Sequence, residues 1–335
     1  MRTVRTARPA LVALAALVLA VAADLLAGRG VPVDRFAAAV LDPGSLDGQI
    51  VWLLRVPRML TAVLAGAALG VAGVILQSTL ANPLASPDTT GVSGAAVFGV
   101  VVVTATALVP RDSTTGMLWA ALAAGLLGSG LVYLLASRLG PERQLLCGVL
   151  AAGAMGGAIT LFLSVRTSQF GTILRWLVGS VDARVWADLA GAAPWILAWL
   201  LIAALASPLL PILVGGDAHA AAVGLAPRRT RLLLLVTAVA LAAGAAALAG
   251  AITFLGLAVP HLTRLLVDRA SRWVVPIAAA IGAALLVGCD AIAQTLTMLL
   301  AGAQLSQRAG IPAGAVAAVA GAVALVALIR RAERP

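Results

Sequence analysis

The chain contains no lysine; all 23 of its basic residues are arginine. A phosphate-binding loop of the form G-x-x-x-x-G-K-[ST] needs its lysine to reach the phosphates, so the chain carries no such ATPase of its own. Catalysis through a lysine Schiff base is excluded as well. Cysteine is reduced to Cys147 and Cys289, both inside apolar segments, which reads as two small buried thiols. The two histidines, His219 and His261, stand far apart with no cysteine or glutamate at ligand spacing, so no metal site is expected. Aromatic residues are only 4%, which leaves packing to small side chains and close backbones rather than to rings. The apolar segments hold no paired carboxylates or metal-ligand cluster, which argues against an intramembrane enzyme.

What remains is overwhelmingly apolar. Hydrophobic residues fill 62% of 335 positions and charged residues 11%, where soluble domains run near half and a quarter. A bilayer core of about 30 Å takes about 20 helical residues. Apolar runs of that order are Ala10–Leu26, Met59–Leu80, Val92–Val109, Met117–Ser137, Leu145–Val165, Leu189–Leu213, Val274–Ala293 and Pro312–Ile329. A ninth run, Leu232–Thr263, has 32 residues. As one helix it would reach about 48 Å, too long for a single span. Gly244 and Gly250 offer places to turn within it. The arginines decide the count. With the amino terminus inside, ten helices place 14 arginines inside and 9 outside, and nine helices reverse those numbers. The positive-inside rule therefore favours ten helices with both termini cytoplasmic. The net charge of +10 thus reads as topology rather than as nucleic-acid binding. The first run, after Arg2, Arg5 and Arg8, is similar to a secretory signal, but a chain of later spans needs no cleaved leader and an uncleaved first helix is expected. The expected fold is an all-α integral membrane protein, one polytopic domain over residues 1–335, with short extramembrane helices.

The richest stretch runs from Arg55 to Gly94. Arg55 and Arg58, three apart, share one helical face; they either present a paired positive surface outside or snorkel to the interface. Asn82-Pro83 and Pro87-Asp88 are breakers that stop one helix and start the next. In the inner loop, at about 214–231, Gly215-Gly216 and Gly224 give breaks, and Asp217 suits the amino terminus of a short helix as a cap. Asp290 falls near the outer end of its span, as a buried polar contact or interfacial residue. His261, after Pro260, reads as a structural histidine.

In order along the chain stand R-V-P-R (55–58), G-A-A-L-G-V-A-G-V-I-L-Q (66–77), A-N-P-L-A-S-P (81–87) and G-V-S-G (91–94). They are followed by R-W-L-V-G-S (175–180), G-G-D-A-H-A-A-A-V-G-L (215–225), I-T-F-L-G-L-A-V-P-H-L-T-R-L (252–265) and I-P-A-G-A-V (311–316). On these motifs the sequence resembles the FecCD family of ABC importer permeases from about residue 10 to residue 331. The family serves uptake of iron–siderophores, haem and cobalamin.

The resemblance implies an assembly in the cell membrane: two permease subunits, as a homodimer or with a paralogue, two cytoplasmic ATPases, and an outer substrate-binding protein. ATP and Mg would sit on the ATPase, with no cofactor on this chain and no nucleic acid involved. Gly216, Asp217, Gly224 and Arg228 would belong to the loop that couples to the ATPase. Arg55 and Arg58 would dock the binding protein. The arginine that the family often carries after the aspartate of helix nine is Gln294 here, the acidic residue before the last L-P is Gly310, and extra residues lie around Thr297 to Gln304; Arg308 is the candidate replacement charge. Glu142, Arg143 and Gln144 would form the inner gate, with Gly148, Gly153, Gly156 and Gly157 on the helix lining the pathway. Gln77, Asn82, Pro83, Pro260 and His261 carry the structural motifs. The cargo implied first is an iron–siderophore, with haem or cobalamin as alternatives. An ion-coupled secondary transporter is the rival class, and it normally needs functional charges at mid-membrane, which the spans almost lack.

Overall fold

The computed structural model describes residues 4–28, 30–110, 113–136, 141–165, 170–268, 271–301 and 310–332. Among them there is no strand. Helix α1 (Val4–Ala27) is followed by a short helix, α2 (Val33–Leu41), and by α3 (Leu46–Ile50), which opens the helical stretch Leu46–Thr79. Ser45 caps α3 by accepting a bond from the Gly48 N–H at 3.0 Å. A π-helical turn at Val51–Arg55 runs on into α4 (Val56–Thr79), where Pro57 has no N–H to give the turn before it, and the Trp52 carbonyl of that turn accepts from the Trp186 indole at 2.8 Å. Then come α5 (Val92–Thr106), α6 (Thr114–Ala136), α7 (Pro141–Val165), α8 (Phe170–Val178) and α9 (Trp186–Ala206). Two short helices, α10 (Leu209–Val214) and α11 (Asp217–Ala222), precede α12 (Pro227–Ala249), α13 (Leu255–Leu266), α14 (Val274–Ala301) and α15 (Ala313–Ala332).

Seven helical stretches are long and apolar enough to cross a bilayer, and three shorter apolar helices, within α5, α13 and α15, bring the described total to ten. The long run after Arg231 does divide in two, and only Gly250 makes the turn, at φ +76°. Gly244 lies inside α12, where a Cβ would come within 2.9 Å of the Trp195 ring, so it serves packing and not a turn. Two other boundaries move. The run ending at Leu213 breaks at Ser207-Pro208, so α10 belongs to the inner loop, and the run starting at Val274 continues helically to Ala301.

Helix α4 is the centre of the bundle, packed against α14, α12, α13 and α9. It is buried along almost its whole length. The approach is backbone to backbone. A Cβ on Gly66 would lie 2.3 Å from the Gly282 carbonyl oxygen, and one on Gly73 would lie 2.1 Å from the Gly256 carbonyl oxygen. In lipid no hydrophobic force drives helices together, so close contact of this kind supplies the attraction.

Two of the ten are too short to cross alone. The 15 residues of α5 and 12 of α13 rise about 22 and 18 Å. Both start inside the bundle. Gly256, on the first turn of α13, meets mid-α4 at Gly73 and the loop before α5 at Pro87. Non-helical backbone is tolerated at that depth because protein surrounds it. Phe254 caps α13 in the left-handed region at φ +65°, an unusual setting for an aromatic residue.

The two ends of the bundle differ in charge. One end gathers the carboxyl end of α4, the start of α12 with Arg228, Arg229 and Arg231, the end of α13 with Arg264, and Arg272 before α14. The positive-inside rule makes it the cytoplasmic end.

Candidate functional site

At the outer end, four distant parts of the chain meet around Arg58. Its Nε and Nη2 donate to Oδ2 and Oδ1 of Asp290, both at 2.7 Å, in the two-pronged geometry that suits a guanidinium and a carboxylate. Its Nη1 donates to Asp182 Oδ1 at 2.6 Å. Asp290 is fully buried. Gln294, one turn on in α14, donates through Nε2 to Asp290 at 3.1 Å and to Asp24 of α1 at 2.7 Å. Asp24, Arg58, Asp182, Asp290 and Gln294 therefore tie α1, α4, α14 and the segment between α8 and α9 together.

Arg55 lies beside this cluster and is 6% exposed. Its guanidinium donates to the carbonyls of Leu25 at 2.7 Å, Val31 at 2.8 Å and Gly28, and stands 5.8 Å from the Phe36 ring centroid. These are carbonyls at and after the end of α1, which a helix leaves unpaired. The paired positive surface considered for Arg55 and Arg58 therefore does not form: both guanidinium groups turn inward to partners within the protein. Arg308, the third docking candidate, lies outside the described residues. An outer cavity of about 340 Å³ is lined by Arg55, Arg58, Asp182, Arg184 and Gln294. Arg184 stacks 5.0 Å over Trp176, and burial lowers its pKa against the pull of Asp188.

At the inner end, α10 and α11 are the two short helices of the loop. Gly216 and Gly224 take φ of +95° and +83°, the backbone freedom that the breaks require. Asp217 does not cap α11. It lies one residue inside the helix, which leaves its carboxylate free to accept from Arg231 Nη2 at 2.8 Å and Nε at 3.2 Å. Arg231 Nη1 also donates to the Thr79 carbonyl at the end of α4. Arg231, at the end of the inner loop, thus connects that loop to the central helix. Arg228 is exposed beside it.

Helix α7 packs on α5 and α6 with one face. Gly148 belongs to that face: a Cβ there would lie 2.3 Å from the Thr89 carbonyl oxygen. Gly153, Gly156 and Gly157 have nothing within 4 Å of a built Cβ and open onto the uncovered side. Arg143 is exposed at the start of α7, and the side chains of Glu142 and Gln144 lie outside the described residues. The motif residues hold local structure. Gln77 accepts from Arg264, Asn82 accepts from the Leu84 N–H at 2.9 Å ahead of exposed Pro83, and His261 Nδ1 lies 2.8 Å from the Leu257 carbonyl, one turn back and next to Pro260.

Asp24 and Asp182 escaped the sequence reading. Asp24 alone carried a signal, as an ionisable residue at the end of an otherwise apolar span.

A family model described as the FecCD transport family matches residues 5–331. The ferric enterobactin transport system permease protein FepG of Escherichia coli (strain K12) is 37% identical over 303 residues, covering 89% of this chain and 88% of that protein. The vitamin B12 import system permease protein BtuC of Vibrio cholerae serotype O1 is 37% identical over 257 residues, covering 75% of this chain and 76% of that protein. Among solved structures, a chain described as a metal-chelate type ABC transporter in an inward-facing conformation superposes with a TM-score of 0.80 at 26% identity, covering 96% of this chain and 98% of that one.

Proposed function

The chain belongs to the FecCD transport family, and from that membership we propose that it passes a ferric siderophore into the cytoplasm, using ATP hydrolysed by a separate subunit. It is a multi-pass membrane protein and an ABC importer permease of the metal-chelate type. The observation that carries the choice of cargo is the 37% identity, over nearly the full length of both chains, to a ferric enterobactin permease.

In this reading two copies, or this chain and a paralogue, face each other across α7. The unfilled positions at Gly153, Gly156 and Gly157 leave room between them for a bulky chelate. An outer binding protein delivers the cargo to the surface built by segments 30–55 and 179–185. Arg55 and Arg58 brace that surface from below. On the inside, α10 and α11 seat in the ATPase, and the Asp217–Arg231–Thr79 link passes their movement to α4. The chain moves no proton and makes no bond; its work is alternating access.

Proteoliposomes test the reading. The permease, its ATPase and its binding protein are reconstituted and offered a ferric catecholate, haem or cobalamin. Uptake of the ferric siderophore, dependent on ATP, is the expected result. Uptake of cobalamin alone would support the second reading, which the equal identity to a vitamin B12 permease keeps in view. Uptake with no ATPase present would overturn the mechanism and favour an ion-coupled carrier.

A further inference from the structure

The cytoplasmic end of the bundle encloses a cavity of about 290 Å³, bounded by α4, α10, α12 and α13. Its apolar lining includes Val74, Leu210, Leu213, Val267 and Val274. Beside these stand Gln77, Arg231 and Arg264, and none of the described lining residues is acidic. Gln77 is 5% exposed. Its side-chain oxygen accepts from Arg264 Nη1 at 2.7 Å, which fixes how the amide is turned. The reverse orientation would set amide N–H groups against a guanidinium. Nε2 is thereby held as a buried donor with no partner among the described residues.

Buried donors are almost always satisfied, so this one marks the place of an acceptor. The guanidinium beside it selects an anionic acceptor. Asp217 does not supply it, being engaged with Arg231. The apolar lining, at the level where α4, α12 and α14 meet the inner membrane surface, selects an anion that carries hydrocarbon. A free phosphate would satisfy the polar lining and leave the apolar one unused.

We propose that this cavity binds the phosphate group of an anionic phospholipid of the inner leaflet, with Gln77 Nε2 and Arg264 as donors and the apolar lining at Val74, Leu213 and Val267 against its glycerol and acyl ends. Basic pockets between spans on the cytoplasmic side are suited to such headgroups. The site stands apart from the transport reading and holds whatever the cargo is. A lipid there would lock the coupling helices to α4 and α13.

The test uses the full chain in mild detergent, stripped of lipid and examined by native mass spectrometry after addition of phosphatidylglycerol, phosphatidylcholine or inorganic phosphate. One phosphatidylglycerol should be retained, in preference to the other two. Gln77→Leu should weaken it roughly tenfold or more, the worth of one hydrogen bond to a charged group. Val214→Trp, at a half-exposed lining position, should displace it by filling the space. Unfolding temperatures check that each variant is folded, and if Gln77→Leu is not, Val214→Trp decides. Equal retention of phosphatidylcholine, binding of inorganic phosphate alone, or undiminished retention in a folded variant would overturn the proposal. So would loss of ATPase binding in Gln77→Leu with no phospholipid ever retained, which would assign the cavity to an acidic side chain of that partner.

Discussion

Replacing Arg58 by alanine strands Asp290. In the intact protein that carboxylate is fully buried and takes two guanidinium N–H groups at 2.7 Å, with Gln294 as a weaker third donor at 3.1 Å. Without Arg58 only Gln294 and the neighbouring Asp24 carboxyl remain. Breaking a buried pair from one side costs about 3–5 kcal/mol, because the surviving charge keeps no opposite charge and gains no water. Asp182 adds little to that cost, since its side chain is 37% exposed and rehydrates. The internal control is Arg35→Ala, which removes an exposed pair at 3.6 Å and should cost about 0–1 kcal/mol. In thermal unfolding of the detergent-solubilised chain, Arg58→Ala should lower the midpoint by on the order of 10 °C. Arg35→Ala should leave it almost unmoved. The double change Arg58→Met with Asp290→Leu should recover most of the loss, because it removes both charges and keeps the volume. An Arg58→Ala shift no larger than that of Arg35→Ala would refute the reasoning. A double variant as unstable as the single one would do the same.

The glycines of α7 should separate by position. Gly148→Ala pushes a methyl against the Thr89 carbonyl and should cost about 1–3 kcal/mol in the same unfolding measurement. Gly153→Leu meets nothing and should stay within about 0.5 kcal/mol, yet slow ATP-driven uptake in proteoliposomes by narrowing the pathway. Gly282→Val drives its side chain into the Gly66 carbonyl at the α4–α14 contact and should abolish recovery of folded protein, read by size-exclusion chromatography. Asp217→Asn breaks a mostly exposed pair, so stability should fall by no more than about 1 kcal/mol, while uptake per ATP hydrolysed falls severalfold.

The spans were legible because hydropathy is a local property. Runs such as 59–80 and 145–165 end within a residue of the helices that hold them, which start three and four residues earlier. The arginine count settled the division of the run after Arg231, since topology sums charge over the whole chain. Local signals failed where the partner lay far away in sequence. Asp24, Arg58, Asp182 and Asp290 come together only once α1, α4 and α14 pack, and no spacing rule links positions so far apart. Arg55 was misjudged for the same reason: its partners are main-chain carbonyls, which leave no mark on sequence. The break at Ser207-Pro208 was hidden because the inner loop starts with residues as apolar as the span before it. In the opposite sense, the general expectation that small residues would let backbones approach closely is met at Gly66, Gly70 and Gly73.

The contact between α4, α13 and α14 has a mechanical consequence. Where carbonyl oxygens press directly on glycine backbones, there are no side-chain rotamers to shift and no layer of side chains to act as a bearing. Sliding by a fraction of a turn would force main-chain atoms into overlap, so these three helices move as one solid piece. A change of shape instead has room on the flank of α7 at Gly153, Gly156 and Gly157, where nothing among the described residues lies within 4 Å. The protein is thus divided into a stator and a moving wall, and the stator is the part that carries both the outer charge cluster and the arginine link to the inner loop.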